Sequence, residues 1–180
     1  TERQAAAYIA DELNKKGFSS IEQYEREGKN LKAGDKVYVH YRDKVVAAAV
    51  IGKRPLKEGL RIIASHIDSP RLDLKQNPIY EADGMVMADT HYYGGIKKYQ
   101  WTTIPLSLHG VVIKNDGEKV NISIGENKAH PGFYISDLLP HLAKEQMNKK
   151  ATEVVTGEGL DVIIGSIPFT DDEEIKDRMK

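Results

Sequence analysis

The sequence predicts an α/β chain organised as two units. Three observations carry this. An amphipathic helical pattern opens the chain. Alternating and then continuous apolar runs follow between positions 36 and 64. A block of short strand-like pieces separated by turn signals fills most of the remainder. At 180 residues the chain is long enough for one full domain, or one domain and part of another. Gln76-Asn77-Pro78 marks the expected break, giving units of residues 1–76 and 77–180.

The elements follow in order. Thr1 and Gln4 have capping-box spacing, and Ala5, Ile9 and Leu13 recur every four residues, with Ala6 and Tyr8 widening the stripe. Gly17 falls where a C′ glycine ends a helix. Val37, Val39 and Tyr41 alternate, Arg42-Asp43-Lys44 turns, and residues 45–51 are continuously apolar, so a hairpin is expected. Pro55 and Gly59 punctuate a loop. Residues 60–64 are short, apolar and β-branched, the pattern of a buried strand. Further strands are expected at 85–87, 102–108, 110–114, 120–124 and 162–167, with Asn115-Asp116-Gly117 turning between two of them. Residues 136–148 predict a second helix. Ser136 or Asp137 caps it, Pro140 sits in its first turn, and Leu138, Leu139, Leu142 and Met147 form its apolar side. Thr170-Asp171-Asp172-Glu173 is a capping box that opens a third helix, with Ile175 and Met179 four apart. That helix has a start signal and no stop signal, and the first residue is Thr rather than Met. The expectation is a portion of a longer chain.

Composition narrows the function classes. There is no cysteine, which excludes disulfides, thiolate metal sites and a thiol nucleophile. Lys plus Arg is 26 and Asp plus Glu is 27, so the net charge of −1 supplies no general field for nucleic acid. Hydrophobic residues make up 40% and the mean hydropathy is −0.49. No apolar run approaches the roughly 18 residues of a membrane span, and no signal-peptide pattern opens the chain. The expected location is cytoplasmic, without nucleic-acid or membrane partners.

The densest polar cluster is Ser65-His66-Ile67-Asp68-Ser69-Pro70-Arg71, directly after the expected strand at 60–64. In α/β sheets ligands bind beyond the carboxyl ends of strands. His66 and Asp68 are two apart, so in extended backbone they share a face. A metal-ligating histidine commonly has its other ring nitrogen held by a carboxylate. The competing reading is a loop histidine beside a turn-capping Asp. A second cluster, Thr90-His91-Tyr92-Tyr93-Gly94-Gly95-Ile96-Lys97-Lys98-Tyr99-Gln100-Trp101, carries the only tryptophan. It suits a subunit interface or site lining, where Tyr and Trp are enriched. It equally suits a Gly-Gly turn between strands bearing aromatic pairs. His40, His109, His130 and His141 each read more simply as strand, loop or helix-surface residues than as catalytic ones. No Gly-x-Ser-x-Gly, P-loop or Rossmann fingerprint is present.

Residues 65–74, Ser-His-Ile-Asp-Ser-Pro-Arg-Leu-Asp-Leu, resemble the first metal motif of the aspartyl aminopeptidase and aminopeptidase I family, co-catalytic zinc exopeptidases. The resemblance continues through Thr90 to Trp101, Ile104-Pro105-Leu106 and residues 135–142, and covers nearly the whole chain. It implies the N-terminal part of a zinc-peptidase α/β domain with an inserted β-rich dimerisation domain: residues 1–76 in the former and 77–180 in the latter. It implies homo-oligomers, dimers and up to dodecamers, acting on peptide substrates. Residue by residue, His66 matches a zinc ligand and Asp68 the carboxylate that orients it. His141 matches a histidine that reaches a neighbouring subunit's active site and helps hold substrate.

The resemblance implies two zinc ions per complete site, with cobalt or manganese also compatible with a histidine ligand. It also implies a general-base Glu and further acidic and His ligands downstream of residue 180. The expected function is therefore the N-terminal portion of a metal-dependent aminopeptidase that is inactive when isolated. The alternative is a non-catalytic oligomerisation module that retains a vestigial metal motif.

Overall fold

The computed structural model describes residues 2–127 and 132–168, which form two compact units divided between Ser69 and Pro70. The expected third helix, His130 and the Thr1 cap lie outside the described residues.

In the first unit, helix α1 (Glu2–Lys15) buries Ala6 and Ala10. It closes on a Schellman arrangement: the Phe18 N–H reaches the Leu13 carbonyl at 3.0 Å and the Gly17 N–H reaches Asn14 at 3.0 Å. Gly17 adopts φ +80°, as its place at C′ requires. A short strand β1 (Ser19–Ser20) leads into α2 (Ile21–Arg26), where the Ser20 hydroxyl accepts from the Gln23 N–H at 3.2 Å. β2 (Lys36–Tyr41) and β3 (Val45–Val50) form the expected antiparallel hairpin. Its turn holds Arg42 and Asp43 at φ 51° and 57°. β1 pairs parallel to β2, giving the order β1-β2-β3.

The expected strand at 60–64 is not formed. These residues carry no regular structure, and Leu60, Ile62 and Ile63 are 66%, 78% and 101% exposed. The reason is physical. A run that is apolar on both faces is stable as a strand only when layers cover both of them, and among the described residues these side chains stand uncovered.

The second unit is organised around β5 (Met85–Tyr93), which pairs antiparallel with β4 (Arg71–Ala82) on one side and β8 (Val162–Gly165) on the other. Gln76, Asn77 and Pro78, read from sequence as a break, lie inside β4 where the register shifts between Leu74 and Ile79. Proline is tolerated there because β4 is an edge strand with a local irregularity. β6 (Leu108–Ile113) and β7 (Lys119–Ile124) form a separate hairpin. Its Asp116-Gly117 turn has Gly117 at φ +86°. The core gathers Ala88, Phe133, Ile135, Val155, Leu160 and Val162, with Trp101 and Leu106 against it.

Two further expectations are corrected here. Residues 102–108 do not form one strand; Leu106 makes an isolated bridge to Phe133. The second helix shrinks to α3 (Lys144–Met147), preceded by turns. Pro140 removes a ladder donor and disfavours helical backbone at Leu139. Leu138, Leu139, Leu142 and Met147 are 54%, 60%, 63% and 73% exposed. With no surface among the described residues to bury that stripe, a helix this short is marginal.

Candidate functional site

His66 and Asp68 lie at the end of the first unit, in backbone without regular structure. The His66 ring nitrogen Nδ1 is 3.1 Å from the Asp68 carboxylate Oδ1 and 3.0 Å from the Asp68 carbonyl. Both neighbours are acceptors, so Nδ1 is assigned the donor role. The ring is 84% exposed and the Asp68 side chain 43%. An exposed imidazole whose Nδ1 is held by a carboxylate is an arrangement common to metal-ligating histidines. One ligand falls short of the three or four that a zinc site uses. Among the described residues, no group of three or more His, Asp or Glu side chains gathers in metal-binding geometry. The residues present thus fit one corner of a zinc site.

His141 lies in the second unit, exposed in the turn before α3. Asp137 fixes that segment. Its Oδ1 accepts from the Leu138 N–H at 2.8 Å and the Gln146 amide at 2.9 Å, and its Oδ2 from Thr102 at 3.3 Å. The Gln146 bond, followed by those from Leu138 and Thr102, holds the Asp137 carboxyl below its usual value against the opposing effect of burial.

The aromatic-glycine motif divides between surface and core. His91 stacks on Tyr92 with ring centroids 5.3 Å apart, and the Arg71 guanidinium lies 4.1 Å over Tyr93 while its Nε donates to Asp73 at 2.7 Å. Gly94, at φ +79°, lies against Pro70, where an added Cβ would sit 3.6 Å from the proline ring. Trp101 packs on the core.

Sequence reading did not anticipate a grouping of Ser107, His109 and Glu126 beside the β6–β7 hairpin. His109 Nε2 is 3.0 Å from Ser107 Oγ and 2.8 Å from Glu126 Oε1. Hydroxyl and carboxylate converge on one ring nitrogen, whereas a nucleophile–base–acid relay needs them on opposite nitrogens. The grouping acts as a brace at the hairpin mouth. His40, on β2, has a buried Nε2 with no hydrogen-bond partner among the described residues.

The chain matches the aminopeptidase I zinc metalloprotease (M18) family over residues 1–180. It is 52% identical over 174 residues to a probable M18 family aminopeptidase 1 of Clostridium acetobutylicum, covering 97% of this chain and 37% of that protein. It is 50% identical over 177 residues to the corresponding protein of Borreliella burgdorferi, covering 98% and 38%. Among solved structures, an M18 aminopeptidase from Thermotoga maritima aligns with a TM-score of 0.82 at 43% identity, covering 97% of this chain and 37% of that one. Aminopeptidase I from Clostridium acetobutylicum aligns at 0.80 and 51%, covering 96% and 38%. The chain belongs to the M18 family of zinc metalloproteases. It spans somewhat over a third of the length of the curated relatives it matches. No helix among the described residues is long and apolar enough to cross a membrane.

Proposed function

We propose that this chain is the N-terminal portion of a metal-dependent aminopeptidase that removes the N-terminal residue of peptides at a two-zinc site. The observation that carries this reading is the His66–Asp68 pair, with Nδ1 3.1 Å from the carboxylate on an exposed ring. Membership of a zinc metalloprotease family supplies the metal. In this reading His66 is a zinc ligand through Nε2. Asp68 orients its ring through Nδ1. His141, on its turn, helps hold substrate in the active site of a neighbouring subunit. Zinc bound there supplies Lewis acidity toward the scissile carbonyl and makes water a nucleophile at neutral pH. In this reading the first unit, up to Ser69, belongs to the catalytic α/β domain, and the second, from Pro70, to an inserted β-rich dimerisation domain. The protein works as a homo-oligomer in the cytoplasm.

With one ligand in hand, the 180-residue chain by itself neither retains two zinc ions nor cleaves peptides; stoichiometric binding of two zinc ions by it would overturn this. The decisive experiment is metal content and aminopeptidase activity of the complete gene product, wild type against His66→Ala and Asp68→Asn. The wild type is expected to carry about two metals per chain. His66→Ala is expected to lose one metal and its activity, and Asp68→Asn to bind zinc roughly 10- to 100-fold more weakly. A wild type that is metal-free and inert, yet assembles into a defined oligomer, favours the second reading of a non-catalytic assembly module. The exposed Leu138, Leu139 and Leu142 are the observation on its side.

A further inference from the structure

Polar bonds, not apolar packing, hold the segment that carries His141. Ile135 and Ala143 are buried, and every residue between them is exposed. His141 is a central residue of the turn that the Leu142 N–H closes on the Leu139 carbonyl at 2.9 Å. Side chains close the base of this turn. Asp137 Oδ1 accepts from the Gln146 amide at 2.9 Å, nine residues on, and Oδ2 from the Thr102 hydroxyl at 3.3 Å, 35 residues back. The Gln146 amide also donates to the Val154 carbonyl at 3.4 Å, and Val154 packs against the core. Two features set this apart from a helix cap. A capping carboxylate takes the N–H two or three residues on. Here those positions are Leu139 and Pro140, and proline has no N–H. Asp137 bonds instead to the adjacent Leu138 N–H and to side chains from two other segments. The second feature is Thr103, a β-branched residue at φ +60°, in the left-handed region that such residues avoid. Its N–H donates to the Ile135 carbonyl at 2.8 Å, and the neighbouring Thr102 hydroxyl thereby meets Asp137. Strained backbone persists where its surroundings over-determine it, and it gathers at functional sites.

The geometry points to Asp137 as a positioning residue: with Gln146 and Thr102 it clamps the base of the 138–142 loop, so that His141 is presented to substrate in one arrangement. This rests on the reading of His141 as a histidine that helps hold substrate in a neighbouring subunit's active site. The exposed Leu138, Leu139 and Leu142 gain nothing from burial within this chain, so the polar clamp is what fixes the loop. A loop that is competent only part of the time weakens binding in proportion to the competent fraction lost. Loosening the clamp therefore raises KM and leaves kcat unchanged, the pattern of a lost uniform-binding contact.

Steady-state peptide hydrolysis by the complete gene product tests this, with zinc content and oligomer mass measured on every variant. Asp137→Ala is expected to raise KM about fivefold, the weight of one hydrogen bond, with kcat, zinc content and oligomer mass unchanged. Gln146→Met keeps the side chain's length, removes its donor and is expected to act in the same direction. Asp137→Asn keeps an acceptor for Gln146 and is expected to restore KM to within about twofold of wild type. His141→Ala is expected to raise KM at least about tenfold. In that background Asp137→Ala is expected to add nothing, because a residue that acts through another is silent once the other is gone. Effects that add in the double variant overturn the inference. So does a wild-type KM in both Asp137→Ala and Gln146→Met while His141→Ala raises it. In both cases the reading of His141 stands. A fall in zinc content or oligomer mass shared by Asp137→Ala and Gln146→Met shows a scaffold role and also overturns it. A His141→Ala enzyme with unchanged KM, or an inert wild type, overturns the underlying reading and this inference with it.

Discussion

Tyr80→Phe isolates one polar contact in the second unit and carries a signature in pH. The Tyr80 hydroxyl on β4 donates to Asp161 Oδ2 at 2.5 Å, and Asp161 Oδ1 accepts the Thr90 N–H at 3.3 Å. Burial of the phenol, reinforced by the Asp161 carboxylate, pushes the Tyr80 pKa up to about 12. A tyrosine in the unfolded chain titrates near 10. The folded state therefore holds this proton more tightly. The resulting stability is fully present below about pH 10 and is lost as pH rises through 12. Two pKa units at about 1.36 kcal/mol each set a ceiling of roughly 2.7 kcal/mol; the ring is part-exposed, and solvent screening reduces this to about 1 kcal/mol. At pH 7 the variant loses one hydrogen bond to a carboxylate that keeps its others, a cost of about 1–1.5 kcal/mol. Urea unfolding of both proteins at pH 7, 9 and 11.5 reads the difference. The other eight of the nine tyrosines titrate in both proteins and cancel. The gap between wild type and variant is expected to hold from pH 7 to 9 and shrink by about 1 kcal/mol by pH 11.5. A gap that stays constant refutes the assignment of that alkaline loss to Tyr80.

Three further outcomes are expected. Leu160→Ala empties the centre of the core, where Leu160 is 0% exposed, and should cost about 2–5 kcal/mol in denaturant unfolding. Gly125→Ala combines φ +98° with a Cβ placed 3.1 Å from the Leu106 carbonyl oxygen and from Ser107 Cα; a loss of about 2–4 kcal/mol is expected, and a neutral result would contradict the backbone described. Asp137→Ala should speed amide exchange over 138–147 about fivefold, equivalent to roughly 1 kcal/mol. Because the folded Asp137 carboxyl is held low, its contribution is present above the unfolded value of about 3.9 and fades as pH falls through the folded value. The difference between wild type and variant in that segment should therefore start to shrink only as pH falls below about 4 and vanish below the folded value.

What the sequence disclosed was local. Gly17 ends α1, Arg42-Asp43-Lys44 turns the β2–β3 hairpin, and Asp116-Gly117 turns β6 into β7, because each signal and its consequence lie within a few residues. β4 was hidden because its pairing with β5 is not announced within β4 itself. Gln76-Asn77-Pro78 interrupts the alternation begun by Leu72 and Leu74, yet an edge strand carries these residues at its local irregularity. Asp83-Gly84, with φ 51° and 71°, was the available hairpin signal for that pair. The runs at 60–64 and 136–148 failed in the opposite sense. Apolar periodicity states what a segment is able to bury, and says nothing of whether a surface exists to receive it.

Those two failures bear on the function. His66 follows the first run and His141 lies within the second, and both are exposed on backbone that lacks the regular structure expected of it. In each case apolar side chains beside the histidine stand in solvent: Ile62 and Ile63 in one unit, Leu139 and Leu142 in the other. A catalytic side chain needs rigid backbone to hold its geometry. Rigid backbone in turn needs its apolar side buried. Among the described residues, neither segment has a surface that buries these side chains. Metal affinity and folding are coupled when ligands come from separate parts of a chain. Zinc binding, order at residues 60–64 and activity should therefore be gained together when the polypeptide is extended. Activity without protection at 60–64 would break that link even if His66 proved to be a ligand.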